Sequence, residues 1–266
     1  MKKPNYKEKG STKRIVEEFE HGELVNELFK QINLARTQPQ TFVEILQKDK
    51  ELFQENILYR PNEDPLKTQE GPEAHEEAIE FLKNLTELSE LTIDSRLSKA
   101  CKDHVEDIGG SGAISHEGRG RETICDRVEK YAEWDYVICQ NLDFGAKNVN
   151  EILISFITGD GDPLRTHRKN MFRADVKFMG AFNGPHKEAD TVTVVCYTGN
   201  VRELGSIAPE VEDFLPLQLK KIADEKNKPK KIKNKFQLED PEAPDNAVSY
   251  VTYKKMKLVN GRAKHC

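Results

Sequence analysis

The sequence predicts an α+β fold in which helices surround a short, mainly antiparallel sheet. Three observations lead to this prediction. Four segments with helical hydrophobic periodicity precede the first strand-like segment. A further helical segment interrupts the strands, and two consecutive strands close the domain near Leu204. The chain lacks the regular strand–helix–strand alternation of a doubly wound parallel fold.

The first two helices are predicted on either side of a proline. From Gly22 onward, apolar residues recur at helical spacing, and Pro39 marks the break. Thr41 is expected to cap the second helix, because its hydroxyl can accept from an N–H of the first turn. The residues predicted to face inward are Leu24, Leu28, Ile32, Ala35, Phe42, Ile45, Leu46 and Phe53.

The next two helices follow a polar loop. The segment RPNEDPLKTQEG is rich in Pro, Asn and Gly and predicts this loop. A third helix is predicted over about residues 73–88, and Asp94 is expected to cap the fourth. His104 lies on the apolar stripe of that helix, so we interpret it as a core histidine. The stripe consists of Leu97, Cys101, His104, Val105 and Ile108.

The strands come later in the chain. The segment YVICQNLDF alternates as a half-buried strand does. After it, NVNEILISFI returns to helical spacing. The β-branched content and alternation of VKFMGAF and DTVTVVCYTG predict the closing pair of strands.

Composition limits the classes of function. The chain has 266 residues, of which 36% are hydrophobic and 33% charged, with a net charge of −5. That balance does not favour a nucleic-acid partner, which usually requires a basic excess. The basic start MKKPNYKEKGSTKR has no apolar run after it, so a secretory signal is not expected. A membrane span is not expected either, because no apolar stretch is long enough.

The composition also predicts the domain boundaries. Residues 1–21 are expected to form a charged N-terminal arm, and residues 22–205 the folded domain. Residues 206–266 are expected to be an extended charged tail, because dense charge, five prolines and weak periodicity argue against a second packed domain. Within this tail, Lys228–Lys235 is a basic run that is followed by an acidic one.

The five cysteines predict reduced thiols. Their number is odd and their spacing irregular, and no CxxC pair occurs. Four of them have apolar neighbours, which favours buried thiols in a cytoplasmic protein over a disulfide framework. Cys139 precedes Gln140, but its strand neighbours favour an inward thiol over a nucleophile.

The segment GDGDPLRTHRKNMF, residues 159–172, allows several interpretations. It lacks the Gly-Lys-Ser/Thr of a phosphate loop and the later Glu of an EF-hand. Arg165, Arg168 and Lys169 remain candidates for anion binding. The favoured interpretation is structural, with ion pairs of Arg168 and Asp160 holding the loop.

Eight segments in order resemble a CAP domain, the family of cysteine-rich secretory proteins, antigen 5 and plant pathogenesis-related class 1 proteins. The resemblance covers about residues 22–204 and is closest to the branch found in bacteria and protists. The segments are NLAR, KTQEGPEAHEEAIEFL, LSKACKDHVEDIG, SHEG with DR at 126–127, QNLDFG, GDGDPLRTHRKNMF, FMGAFNGPH and VVCYTG.

The resemblance implies a three-layer α–β–α sandwich with a cleft of two histidines and two acids, which holds zinc or a similar ion in several members. His116 and His167 match the two histidines. Gln140 stands where the family has its first acid, and Asp160 lies beside Gly159, the position of the second. Two imidazoles and one aspartate make a poor zinc site. Zinc is therefore not expected. Water, or a buried hydrogen bond between Gln140 and a histidine, is expected in its place.

These features predict a protein that is not an enzyme. We expect no cofactor and no catalytic or metal-binding residue, with His116, Gln140, Asp160 and His167 forming a degenerate cleft. The expected role is structural, within a cytoplasmic assembly whose members bind the tails. The basic run suits an acidic surface, so tubulin or microtubule-associated partners and a ciliary or cytoskeletal location are the working hypothesis. The alternative is a cleft-active protein, either a metal-dependent hydrolase or a binder of sterols or lipids.

Overall fold

The computed structural model describes most of the predicted domain and short parts of the tail. Residues 19–61 and 63–206 are described with their side chains, and residues 249–253, 256–259 and 262–265 by their backbone alone. The predicted arm up to residue 18, the basic run Lys228–Lys235 and Cys266 lie outside these residues. The predictions made for them stay predictions.

Seven α-helices lie in the described part of the chain, and most begin where the sequence predicts. Asp94 caps the fourth, accepting from the backbone N–H of Arg96 at 2.9 Å. The helices are α1 Glu23–Thr37, α2 Gln40–Lys50, α3 Pro72–Asn84, α4 Ser95–Ser111, α5 Ile124–Glu129, α6 Val149–Thr158 and α7 Thr166–Met171.

Two helix boundaries differ from the prediction. Helix α2 begins at Gln40 with Pro39 as its N-cap, so the prediction that Thr41 caps it is wrong. The fixed φ of proline, here −58°, suits the first turn of a helix. Helix α3 ends at Asn84 rather than near residue 88, because Leu85 adopts an extended backbone with ψ of 124°.

The central sheet has five strands in the order β4-β6-β7-β5-β8. All neighbours are antiparallel except β4 and β6, so the mainly antiparallel prediction is confirmed. The prediction that helices alone precede the first long strand is wrong, since four two-residue strands come before it. The strands are β1 Phe53–Gln54, β2 Ile57–Leu58, β3 Leu66–Lys67, β4 Thr92–Ile93, β5 Glu133–Phe144, β6 Phe178–His186, β7 Asp190–Arg202, β8 Ser249–Tyr253, β9 Met256–Val259 and β10 Arg262–His265.

Helices cover both faces of the sheet, as in the expected α–β–α sandwich. One face packs against α1, α2, α3 and α6 and includes Val137 and Cys139 of β5. The other face packs against α4 and α5 and includes Ile138 and Leu142 of the same strand. The alternation of β5 residues between two apolar layers explains why its sequence is almost continuously apolar. The α+β prediction is confirmed.

Packed structure extends beyond the predicted boundaries at both ends. The ring of Phe19 lies edge-on to Phe182, with centroids 6.1 Å apart, and His21 Nε2 is 2.8 Å from the hydroxyl of Ser98. Far downstream, β8 joins the central sheet. A five-residue strand within a charged tail gives a weak sequence signal, because its pairing depends on a distant partner strand. No helix of the described residues is long and apolar enough to cross a bilayer.

Candidate functional site

Gln140 lies at the centre of the predicted cleft, fully buried in β5. Its side-chain nitrogen Nε2 is 2.9 Å from Nδ1 of His116, so the expected hydrogen bond to a histidine is present. Its side-chain oxygen Oε1 accepts from Nη2 of Arg127 at 3.0 Å. The amide therefore connects the predicted histidine to an arginine that the sequence analysis did not assign to the site.

Arg127 is positioned by the start of α5. Thr123 and Asp126 form a capping box, each side chain accepting from the other's backbone N–H. This cap fixes the first turn and directs Arg127 toward β5. Its guanidinium also donates to the carbonyl oxygens of Glu122 at 2.8 Å and His116 at 3.1 Å.

Arg127 is buried, and its hydrogen-bond acceptors are uncharged, although the carboxylates of Glu122 and Asp107 lie near enough to favour its charged form. Burial lowers the pKa of the guanidinium, although an arginine at neutral pH stays protonated. A fixed positive charge therefore lies within hydrogen-bond distance of the residue that stands in the family's first acid position.

The arginine decides the orientation of Gln140 and the tautomer of His116. A guanidinium only donates, so the amide presents its oxygen to Arg127 and its NH₂ to His116. Nδ1 of His116 then accepts, and the ring proton lies on Nε2. A metal ion at His116 would need a ring nitrogen with an available lone pair. In this arrangement Gln140 uses one lone pair, and a proton occupies the other nitrogen.

His167 lies on the opposite face of the sheet at the same edge. Its carbonyl oxygen accepts from Asn141 Nδ2 at 3.0 Å, and its ring lies edge-on to Phe156 with centroids 5.1 Å apart. Asn170 Nδ2 donates to Asn141 Oδ1 at 2.9 Å. Side chains of consecutive strand residues point to opposite faces. The side chain of Gln140 therefore contacts His116 on one face of the sheet, and that of Asn141 contacts His167 on the other.

Asp160 serves the loop rather than the cleft. Its two carboxylate oxygens accept from the backbone N–H groups of Gln69 at 2.7 Å and Glu70 at 2.8 Å. Gly159 ends α6 in the left-handed region with φ of 59°, which favours a glycine at the matched acid position. Of the ion pairs expected to hold the loop, the one of Arg168 is present, with Glu77, whereas Asp160 holds the loop through backbone hydrogen bonds instead.

The ion pairs of the loop use two glutamates of another segment. Arg165 donates to Glu70 at 2.5 Å and to Glu77 at 2.6 Å, and Arg168 donates to Glu77 at 2.5 Å. The guanidinium of Arg168 also lies over the ring of Phe81, 4.8 Å from its centroid. Two of the three residues proposed for anion binding, Arg165 and Arg168, are therefore already paired with carboxylates. The hydrogen bonds that Arg165 donates to Glu70 raise the pKa of its guanidinium.

The remaining candidates behave as core groups. His104 is fully buried, and its Nε2 is 3.0 Å from the carbonyl oxygen of Ser115. Burial, with Arg127 nearby, lowers its pKa to about 3, so it stays neutral. Burial raises the pKa of Cys101 and Cys139 to about 12, which makes both thiols poor nucleophiles. Within the described residues, no three His, Cys, Asp or Glu side chains group as metal ligands would.

The segment that carries this site matches a known family. Residues 74–198 match the model of the cysteine-rich secretory protein family, called CAP. This stretch of the chain is similar to a CAP domain. The matched residues include His116, Arg127, Gln140 and His167, so the cleft lies within the family region.

Three solved structures resemble the chain. An outer surface protein from Borrelia burgdorferi is 20% identical, with a TM-score of 0.38, over 51% of this chain and 97% of its own. An extracellular SCP-domain protein from Bacillus anthracis is 15% identical, with a TM-score of 0.35, over 42% of this chain and 35% of its own. A cysteine-rich secretory protein from Staphylococcus aureus is 16% identical, with a TM-score of 0.31, over 59% and 48%. A search of curated protein sequences found no match.

Proposed function

We propose that this CAP domain is non-catalytic and serves as a structural, protein-binding component of a larger cytoplasmic assembly. The observation that carries the proposal is the chain of hydrogen bonds from Arg127 through Gln140 to His116. A general base or a metal ligand at His116 needs an available nitrogen lone pair and a partner that orients the ring. Here the partner that orients the ring, Gln140, also donates the hydrogen bond that uses the lone pair of Nδ1.

The buried charge at Arg127 supports the same conclusion. A metal ion in the cleft would lie near a fixed positive charge that no carboxylate among its hydrogen-bond acceptors compensates. Replacing the family acid by an amide also satisfies Arg127 without a negative charge. The substitution at residue 140 and the buried arginine therefore belong to one arrangement that disfavours cations.

The metal content of purified full-length protein tests the cleft. We expect no stoichiometric zinc in the wild type, because neither nitrogen of His116 offers a lone pair. Gln140→Glu is the informative variant, since a carboxylate accepts from Nδ1–H and leaves Nε2 able to ligate. We expect it to gain zinc affinity over wild type, and His116→Ala in the same background to lose that gain. Stoichiometric zinc in the wild type that His116→Ala removes would contradict the proposal.

The proposed partner is an acidic surface such as the microtubule lattice, in a ciliary or cytoskeletal location. The sequence supports it through the basic run Lys228–Lys235, which lies outside the described residues. Binding through such a run weakens as salt screens the charges.

Co-sedimentation of the full chain with microtubules at low and high salt tests the partner. We expect binding at low salt, and its loss in a variant with Lys230, Lys231 and Lys233 changed to Gln. A matched control changes three exposed lysines of the domain, Lys30, Lys147 and Lys187, to Gln and should bind as wild type does. No binding at low salt, or equal loss in both variants, would contradict this choice of partner.

A further inference from the structure

The edge of β5 that borders the cleft is paired with a distant part of the chain. Strand β8 runs antiparallel to β5, with Val137 opposite Tyr253 and Asn141 opposite Ser249. On its other side β5 is paired with β7 along most of its length. Residues 207–248 separate β8 from the rest of the domain.

The contacts of Thr198 determine which backbone groups of β5 face this edge. The carbonyl oxygen of Thr198 in β7 accepts from the N–H of Lys177, so the backbone groups of Thr198 point toward β6. Ile138 lies directly opposite Thr198. In an antiparallel pair, opposed residues point their backbone groups both toward or both away from each other. The N–H and C=O of Ile138 therefore point toward β8, and by alternation so do those of Gln140.

This direction fixes the hydrogen-bonded pairs between β5 and β8. Ile138 is opposite Thr252, and Gln140 is opposite Tyr250. These two pairs exchange backbone hydrogen bonds, while the N–H of Val251 points outward. Asn170 Nδ2, 3.4 Å from the carbonyl oxygen of Gln140, approaches the same edge and agrees with this direction.

Strand β8 occupies the space at which the two halves of the cleft meet. Gln140 leads to His116 on one face of the sheet, and Asn141 leads to His167 on the other. Both β5 residues are paired with β8, opposite Tyr250 and Ser249. The backbone that lies between the two histidine-bearing faces is thus an extended segment of the chain itself.

The connection is longer than the pairing of β8 with β5 requires. The 42 residues of 207–248 reach at most about 150 Å when fully extended. Strands on either side of one central strand lie only about 10 Å apart. Covalent linkage therefore does not impose the pairing, and the contact forms as an intramolecular binding event.

We propose that the β5 edge at Val137–Asn141 is a binding site for an extended peptide strand, which residues 249–253 fill in cis. An exposed sheet edge recognises such a ligand through its backbone hydrogen bonds. This proposal names a ligand class for the cleft of the proposed structural protein. It rests on strand pairing, so it would stand even if the zinc and microtubule experiments contradicted the proposed function.

Residue-resolved amide hydrogen exchange on the full-length chain tests the proposal. In the wild type we expect slow exchange at Ile138 and Gln140. Thr252→Pro removes an N–H that bonds to Ile138, and exchange at both residues should accelerate about tenfold or more. The matched control is Val251→Pro, whose lost N–H points outward, and it should exchange as wild type does. Cys139 and Asn141 bond to β7 and report that the variants stay folded.

A synthetic peptide of residues 247–255 then tests binding in trans. Added to Thr252→Pro, it should restore slow exchange at Ile138 and Gln140, whereas a scrambled peptide should not. If Cys139 and Asn141 also lose protection in Thr252→Pro, that variant is not folded as wild type is. Tyr250→Pro, which breaks the other hydrogen-bonded pair, then takes its place. Fast exchange at Ile138 and Gln140 in the wild type overturns the pairing. Equal effects of Thr252→Pro and Val251→Pro overturn the register, and no response to the peptide overturns the binding site.

Discussion

Arg127 and Arg165 each donate several hydrogen bonds, but the side chains that accept them differ in charge and in burial. Arg165 donates to the carboxylates of Glu70 and Glu77, whose side chains are 33% and 48% exposed. Arg127 is fully buried, and its side-chain acceptor is the amide of Gln140. Accordingly, the hydrogen bonds that Arg165 donates to Glu70 raise the pKa of Arg165, whereas burial lowers the pKa of Arg127.

The difference shows where this chain places its charge. The loop of residues 159–172 is dense in charge, yet its ion pairs are local and fasten one surface segment to another. In the cleft, the buried charge is the guanidinium of Arg127, whose hydrogen-bond acceptors are all neutral oxygens. A protein tolerates a buried charge of this kind only while hydrogen-bond acceptors surround it. The two regions should therefore respond differently to mutation, pH and salt.

Arg127→Ala should produce the largest effect. It removes the donor to Gln140 Oε1 and to the carbonyl oxygens of His116 and Glu122, the last of which keeps the N–H of Gly118, and it creates a cavity, at a combined cost of about 3–5 kcal/mol. Urea unfolding measures this, with Arg119→Ala as the control because the Arg119 side chain is 86% exposed. The control should change the unfolding free energy by less than about 0.5 kcal/mol. A loss below about 1 kcal/mol for Arg127→Ala would remove the distinction between the two regions.

Asp143 extends the comparison to a buried charge of the opposite sign. Burial raises its pKa to about 6 from 3.8, and it accepts from the backbone N–H of Ala146 at 3.2 Å. The folded state thus holds the proton more tightly than the unfolded state does. Stability from the protonated form is present at low pH and is lost as pH rises from about 4 through about 6.

Asp143→Asn should remove this pH dependence while keeping an acceptor for Ala146. We expect the variant to be more stable than wild type at pH 7 by about 2 kcal/mol, with the difference shrinking toward pH 4. Urea unfolding at several pH values measures it. Asp64→Asn is the control, since that side chain is 90% exposed. A constant difference across the pH range would contradict the assigned pKa.

Arg165→Met should produce the smallest effect, and the one most sensitive to salt. Its carboxylate partners are partly exposed, so we expect a loss of about 1 kcal/mol. In 1 M salt this loss should shrink, because screening weakens exposed pairs, whereas the loss from Arg127→Ala should not change. Parallel unfolding of both variants at low and high salt measures the contrast. Equal salt responses would mean that the two arginines do not differ as described.

Patterns within one element predicted much of the fold. Periodicity found α1, α4 and α6, and alternation found β5, β6 and β7 close to their observed bounds. The short helices α5 and α7 were missed, because six residues give too few turns for an apolar stripe. Strand β8 was missed because its partner is more than a hundred residues away.

The site was predictable only where it followed a motif. His116 and His167 were assigned to one cleft by resemblance, and the exchange of acid for amide at Gln140 was visible in the sequence. The role of Arg127 was not, although the DR pair was noted, because it depends on how α5 packs against β5. Asp160 was misassigned because proximity in sequence to a matched position does not give the direction of a side chain.

The tautomer of His116 tests the central claim most directly. Nitrogen NMR of ¹⁵N-histidine-labelled full-length protein distinguishes a protonated from an unprotonated ring nitrogen. We predict that His116 is the Nε2–H tautomer with Nδ1 accepting from Gln140, and that Gln140→Glu converts it to the Nδ1–H tautomer. An Nδ1–H tautomer in the wild type would contradict the account, since it would mean that Arg127 does not orient the amide and that the cleft nitrogen is open to a ligand.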